Sequence, residues 1–124
     1  MKIFICEQDP YKAKLMQDIL GVYNYKIVTI QKESDFFKEA QQQKPAVVIM
    51  NDVFWQDDIL SRLRTDPVTS KIPVIFIGSA FKAETEKRIG FDGLTEFLPE
   101  SFKIKNLRHY IDRWTTLRSL YIKH

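Results

Sequence analysis

Acidic and amide side chains stand directly after two apolar runs of the sequence. These side chains are Glu7, Gln8, Asp9, Asn51 and Asp52. Hard divalent cations such as Mg²⁺ prefer carboxylate oxygens, so Glu7, Asp9 and Asp52 are weak candidates for a cation site. The plainer interpretation is that these acids face solvent where strands and helices end. We favour this interpretation because the sequence lacks further ligands that a cation site would need. We expect no resident metal or other cofactor.

The rest of the sequence offers no stronger site. His109 and His124 have no cysteine nearby, and His109 is expected at the surface of a helix. Cys6 is the only cysteine and is predicted to be a small buried hydrophobic residue within a strand. No glycine-rich phosphate loop is present, and no helix-turn-helix segment is present, so direct DNA binding is not predicted.

Five short apolar runs predict β-strands, because they are rich in β-branched residues or continuously hydrophobic. The runs are Ile3–Cys6, Lys26–Ile30, Ala46–Met50, Pro73–Ile77 and Thr95–Leu98. Helix signals fall between them: Asp9 and Pro10 suit a helix start, and Ser34 is a second candidate cap.

The remaining helices follow from apolar spacing. A short helix around Ile59–Leu63 is expected to end near Asp66, and a weakly apolar one is expected over Glu84–Phe91. The last helix, at about 103–121, is long and amphipathic because its apolar residues recur every three or four positions. Alternating strands and helices predict an α/β fold with a parallel sheet and helices on both faces.

The common arrangement at this size is a flavodoxin-like three-layer sandwich with strand order 2-1-3-4-5. Ligands bind such sheets beyond the carboxyl ends of the strands, where the first and third strands lie side by side. The residues expected around this one pocket are Glu7, Gln8, Asp9, Asn51, Asp52 and Gly78.

Length and charge narrow the class of protein. The chain has 124 residues, so we expect one domain over residues 1–124. No apolar run is long enough for a membrane span and no signal-peptide pattern is present, so a soluble cytoplasmic protein is expected, with no membrane partner. The net charge is +3, and residues 103–124 carry six basic residues against one acidic residue. Such a basic helix suits an acidic partner, although a solvated helix face is the commoner explanation.

Several stretches resemble the receiver domain of response regulators, the CheY-like domains of bacterial two-component phosphorelay signalling. The stretches are Ile3–Pro10, Lys44–Asn51, Leu63–Pro67 and Lys71–Ile75, and the fifteen positions from Gly78 to Gly93 match the family's spacing. The resemblance covers about residues 2–118. It implies the same fold, a non-enzymatic signalling role and a pocket in which an aspartate receives a phosphoryl group beside Mg²⁺.

The family's pocket residues are largely replaced in this sequence. Asn51 stands at the phosphoacceptor aspartate, Gln8 at a Mg²⁺ ligand and Glu100 at the phosphate-binding lysine. Gly78 stands at the switch threonine or serine, with Ser79 next to it, while Glu7 retains one acid. A carboxamide is a poor nucleophile, so the resemblance implies a degenerate pseudo-receiver that is not phosphorylated by the usual route and acts through protein–protein interaction.

Two shape differences accompany these replacements. Ser101 follows Glu100 where the family has a proline after a cis peptide, so we expect a trans bond there. The segment Val53–Asp58 is about three residues shorter than usual. Trp55 within it either anchors a partner or packs over the altered pocket.

Alternatives to the pseudo-receiver remain. Asp52 could serve as a surrogate acceptor with a weak Mg²⁺ site, although neighbouring strand residues point to opposite faces and Asp52 should aim away from Asn51. A small-ligand sensor using the same pocket is the third hypothesis.

The family resemblance also implies a partner surface. Receivers dimerise or meet signalling and effector proteins through the fourth helix, the fifth strand and the last helix. The residues expected on this surface are Arg88, Phe97, Arg108, Tyr110, Arg113 and Trp114. Phe97 also occupies the aromatic switch position, where an ordinary half-buried strand residue is at least as good an explanation. Whether the chain is complete or part of a longer protein is left open.

Overall fold

The computed structural model describes residues 2–23, 25–51, 59–78, 94–99 and 102–123. Its centre is a parallel five-stranded sheet in the order β2-β1-β3-β4-β5. The strands are β1 (Lys2–Cys6), β2 (Lys26–Ile30), β3 (Val47–Asn51), β4 (Val74–Gly78) and β5 (Thr95–Pro99). The predicted fold class and strand order are confirmed, and each predicted strand is present to within a residue.

The helices are α1 (Pro10–Gly21), α2 (Glu33–Gln43), α3 (Ile59–Thr65) and the C-terminal helix α4 (Ile104–Lys123). The last of these was predicted at about 103–121 and runs two residues further. The helix predicted over Glu84–Phe91 and the short segment Val53–Asp58, with Trp55, lie outside the described residues. No helix in the described part of the chain has the length and apolar character needed to cross a membrane.

Side chains alternate along each strand between two apolar layers. On β1, Ile3 and Ile5 enter one layer, whereas Phe4 and Cys6 enter the other. The first layer is closed by α1 and α4, and the second by α2 and α3. Cys6 is buried as predicted, and burial raises the pKa of its thiol. Both faces of the sheet are therefore covered, as a parallel sheet requires.

Helix α1 starts as the sequence predicts. Asp9 has an extended backbone, its carboxylate accepts the backbone N–H of Tyr11 at 2.9 Å, and Pro10 takes the first helical position. Proline suits this position because its fixed φ matches a helix and its missing N–H is not needed there.

The predicted cap of α2 is wrong. Lys32, not Ser34, is the N-cap, and it makes no side-chain cap hydrogen bond. Two acids in the first turn, Glu33 and Asp35, offset this by facing the positive end of the helix dipole. The helix therefore starts earlier than a hydroxyl cap would indicate. It ends at Gln43, and the C-cap residue Lys44 has a left-handed φ of 48°.

Arg64 joins three parts of the chain. Its guanidinium lies at the end of α3 and donates to the carbonyl oxygens of Ile72 (2.6 Å), Leu94 (3.2 Å) and Ser70 (3.3 Å). It also reaches the Thr95 hydroxyl at 3.4 Å. The planar fork of donors lets one side chain bind the segments that lead into β4 and β5.

Replacing Arg64 by alanine should lower the free energy of unfolding by about 2 kcal/mol, because several partly buried carbonyls lose a charged donor. Arg64→Lys should recover only part of the loss, since an ammonium cannot span the same acceptors. Arg62 is a matched control: it is exposed on the same helix and stacks 4.0 Å from the Phe37 ring centroid. Arg62→Ala should cost about 0.5–1 kcal/mol. Equal losses in urea denaturation would contradict the role given to Arg64.

Asp66 organises the turn after α3. Its carboxylate accepts Gln41 Nε2 at 2.6 Å and the backbone N–H groups of Val68 (2.8 Å) and Thr69 (3.3 Å). The hydrogen bond from Gln41, followed by that from Val68, lowers the pKa of Asp66 below its ordinary value. The turn is thus held best when Asp66 is ionised.

This lowered pKa predicts a pH dependence of stability. A carboxyl group with a lower pKa in the folded chain stabilises the fold above its unfolded pKa, and the stabilisation is lost as pH falls through the folded pKa. Between about pH 5 and pH 2, the wild type should lose more stability than Asp66→Asn. Thermal unfolding followed by circular dichroism at each pH measures the difference, and parallel curves for the two proteins would contradict it.

Candidate functional site

The carboxyl ends of β1, β3 and β4 meet at one edge of the sheet because the strands are parallel. Cys6 pairs with Met50, and Asn51 pairs with Ile77 in the next strand. Glu7 follows β1 directly and stays tied to the sheet through its N–H, which donates to the Ile30 carbonyl at 3.1 Å. The register therefore brings Glu7 and Asn51 side by side on the layer covered by α1 and α4.

Glu7 and Asn51 form a hydrogen-bonded pair. Asn51 Nδ2 donates to Glu7 Oε1 at 2.9 Å, and the backbone N–H of Asp9 reaches Glu7 Oε2 at 3.4 Å. A carboxylate only accepts hydrogen bonds, so the amide must present its nitrogen to Glu7. Glu7 is 9% exposed, so this pair is largely withdrawn from water. Within the described chain the buried carboxylate is met by neutral donors and by no cation.

The other predicted residues at this edge take different positions. Gln8 and Asp9 are exposed, and the Asp9 carboxylate caps α1. Gly78 is buried as the last residue of β4 and pairs with Pro99. Asp52, Ser79, Glu100 and Ser101 lie outside the described residues, as does the peptide bond predicted to be trans. Across the ranges that the structure describes, no three His, Cys, Asp or Glu side chains converge as a metal site.

A cavity of about 340 Å³ opens beside the Glu7–Asn51 pair. Its lining is mostly apolar and comes from the strand ends, one face of α1 and the chain entering α4. The lining residues are Ile5, Cys6, Glu7, Lys12, Leu15, Met16, Ile19, Ile49, Asn51, Ile77, Phe102 and Ile104. The sequence predicted a pocket at the strand ends but missed these apolar walls. The spacing of Lys12, Leu15, Met16 and Ile19 on one helix face was the available signal.

The residues predicted for a partner surface are divided among different environments. Trp114 is 6% exposed and Tyr110 is half-buried, and both pack in the layer under α4. Phe97 packs against the opposite layer, with α2 and α3. Arg88 lies outside the described residues. These aromatic side chains are therefore mainly core residues in the described chain.

The basic residues of α4 are more accessible. Arg113 is half-exposed, 3.8 Å from the Glu96 carboxylate of β5. Arg108 stacks 3.8 Å from the ring centroid of Tyr23, at the end of α1. Beside it, the Tyr25 hydroxyl donates to Asp112 at 2.7 Å, and burial followed by this contact raises the pKa of Tyr25. Arg108 thus anchors α4 to the chain that follows α1. Arg113 lies on the side of α4 that is next to β5.

The sheet order and the two helical layers define a doubly wound, flavodoxin-like α/β protein. No family model matches the sequence, and no curated protein does. Solved structures narrow the class of fold. A response-regulator receiver domain protein from Clostridium thermocellum superposes with a TM-score of 0.84 at 15% identity, over 97% of this chain and 98% of that one.

Two further structures are similar. A response regulator from Desulfuromonas acetoxidans has a TM-score of 0.78 at 18% identity, over 94% of this chain and 97% of that chain. The signal receiver domain of a DNA-binding response regulator from Colwellia psychrerythraea has a TM-score of 0.77 at 22% identity, over 91% and 96%. The chain has the fold of response-regulator receiver domains, and the predicted resemblance is confirmed at that level.

The Glu7–Asn51 pair predicts the effect of restoring an acid. Asn51→Asp would place a second carboxylate beside a buried one, which removes a donor and adds like-charge repulsion. We expect a loss of about 1–3 kcal/mol at neutral pH, measured by chemical denaturation. Mg²⁺ should restore part of it, because a cation between two carboxylates offsets their charge.

A swapped pair provides the control. Glu7→Gln combined with Asn51→Asp keeps one amide and one acid, so the hydrogen bond can form in the reverse direction. The double variant should be more stable than Asn51→Asp alone, and it should respond less to Mg²⁺. An Asn51→Asp protein as stable as the wild type, with no response to Mg²⁺, would show that the pair is not a buried acid–amide contact.

Proposed function

We propose that this chain is a receiver-like module of two-component signal transduction that does not take up phosphate at Asn51. It is a non-enzymatic cytoplasmic domain that acts through protein–protein contact. The observation that carries the proposal is the hydrogen bond from Asn51 to the buried Glu7, at the edge where this class of fold binds its ligands.

The chemistry of Asn51 argues against an acyl phosphate at this position. Formation of an aspartyl phosphate needs a carboxylate oxygen that attacks phosphorus. In a carboxamide the nitrogen lone pair is delocalised into the carbonyl, and here that nitrogen also donates to Glu7 at 2.9 Å. Asn51 therefore has neither the anionic oxygen nor a nucleophilic nitrogen with which to form the bond.

The electrostatics of the pair point the same way. Two adjacent carboxylates repel each other unless a cation lies between them, whereas an acid and an amide are complementary. Glu7 receives its donors from Asn51 and from the backbone of Asp9. The acid and the amide therefore contact each other directly, without a metal ion between them.

A signalling module without phosphotransfer must communicate through its surface. The C-terminal helix carries the excess positive charge of the chain, and Arg113 is half-exposed next to β5. We place the partner contact on the outer side of α4 and β5, where a second copy of the chain or a signalling protein with acidic residues would pair with Arg113. Charged contacts of this kind favour specificity and rate of association.

The test is incubation with acetyl phosphate and Mg²⁺ followed by intact-mass spectrometry. The wild type should gain no stoichiometric phosphoryl group, and its sedimentation coefficient should be the same with and without the phosphodonor. An authentic phosphorylatable receiver in the same buffer is the positive control. A stoichiometric gain that Asp52→Asn abolishes would overturn the proposal and establish Asp52 as a surrogate acceptor.

A further inference from the structure

We propose that the cavity beside Glu7 and Asn51 binds a small compound in which a primary ammonium group is joined to a short apolar body. This inference goes beyond the signalling role, because the cavity would take such a ligand whether or not the domain contacts a protein. Its volume of about 340 Å³ lies within the range of small-molecule sites, which extends over about 300–1,000 Å³.

The walls of the cavity select an apolar body. Ile5, Ile49 and Ile77 form its floor on three adjacent strands, and Phe102 and Ile104 close the side next to α4. Helix α1 supplies the opposite wall with Leu15, Met16 and Ile19. A hydrocarbon chain that enters this space exchanges water for aliphatic contacts, which is the main source of affinity in such sites.

The polar end of the cavity selects a cation. Glu7 is 9% exposed, and in the described chain its carboxylate receives one amide hydrogen bond at 2.9 Å and one long backbone contact at 3.4 Å. A carboxylate has about four lone-pair positions, so it retains acceptor capacity towards the cavity. A buried carboxylate held only by neutral dipoles gains most from a positively charged partner.

A primary ammonium fits this end better than a bare metal ion. The described residues around Glu7 offer no second and third acid that would complete a metal site. Apart from Glu7, Asn51 and Lys12, the lining residues of the cavity are mainly apolar and cannot replace the water shell of a divalent cation. An ammonium group needs only a few acceptors, and its attached carbon chain contacts that apolar lining.

Lys12 determines which kind of amine is favoured. It lines the cavity from α1 and is exposed. An apolar amino acid could direct its ammonium group to Glu7 and its carboxylate towards Lys12. A simple alkylamine would use Glu7 and the apolar walls alone. The amino acid and the alkylamine share an ammonium group and an aliphatic body.

Isothermal titration calorimetry with three matched compounds tests the inference. Leucine, 3-methylbutylamine and 4-methylpentanoate share a branched aliphatic body and differ in their charged groups. At least one of the two ammonium compounds should show saturable binding at millimolar concentration or tighter, and 4-methylpentanoate should bind more weakly. Absence of binding by both ammonium compounds, or equal binding by 4-methylpentanoate, would overturn the inference.

Variants localise the binding. Glu7→Gln should weaken the ammonium compounds by about tenfold or more, because a charge-assisted hydrogen bond is replaced by a neutral one. Asp18→Asn is the matched control, since Asp18 is an exposed acid on α1 and lies outside the cavity lining. It should leave affinity unchanged. Equal affinity for Glu7→Gln and the wild type would overturn the assignment of Glu7.

Further measurements keep the test decisive. Thermal unfolding without ligand checks that Glu7→Gln is folded. If Glu7→Gln does not fold, Ile19→Phe provides the second test: its larger side chain fills the cavity and should abolish binding. In the wild type, the side-chain amide signals of Asn51 should shift in NMR spectra on titration. Lys12→Gln distinguishes the two kinds of ligand. Weaker binding of leucine with unchanged binding of 3-methylbutylamine indicates an amino acid. Unchanged binding of both compounds indicates a simple amine.

Discussion

Burial of the sheet on both faces is the constraint on which the other features depend. A parallel strand covered by helices on each side must be apolar along its whole length, so polar side chains are confined to its ends. Here that confinement brings Glu7 and Asn51 to the same edge, each two residues beyond the paired Ile5 and Ile49. The chemistry of the molecule is therefore concentrated where the hydrophobic strands stop.

At that edge, the balance of charge determines what the fold can do. One buried acid next to one amide makes a stable contact without an added ion, whereas two acids would need one. The contact with Asn51 uses only part of the hydrogen-bonding capacity of Glu7, which also lines an apolar cavity. The acid and the amide thus determine together which groups this edge of the sheet can accept.

Strands and topology could be predicted from the sequence because they depend on local and repetitive physics. A run such as Val47–Met50 suits a doubly covered strand, and Asp9 with Pro10 marks a helix start. The cap at Ser34 was mistaken because acids at neighbouring positions stabilise a helix end as well as a hydroxyl does. Local signals of comparable free energy cannot be ranked without the tertiary structure.

The candidate site could be predicted only in part. Topology brings the strand ends together, so the proximity of Glu7 and Asn51 follows from register. The cavity does not follow, because its walls come from α1 and from the chain entering α4, whose distances from the sheet depend on packing. The burial of Trp114 and the position of Phe97 on the opposite layer likewise depend on how strands and helices meet.

Arg64 has a consequence for how this fold can change over evolutionary time. Its bonds to Ile72 and Leu94 hold together the chain entering β4 and the chain entering β5. The connection between those strands leaves β4 at Gly78, which is held by its pairing with Pro99, and it enters β5 at Leu94, which Arg64 holds. Closure entropy rises slowly with loop length, by about 0.6 kcal/mol for each doubling of the length between two fixed ends. Insertions and deletions between β4 and β5 can therefore accumulate while the edge that carries Glu7 and Asn51 keeps its geometry.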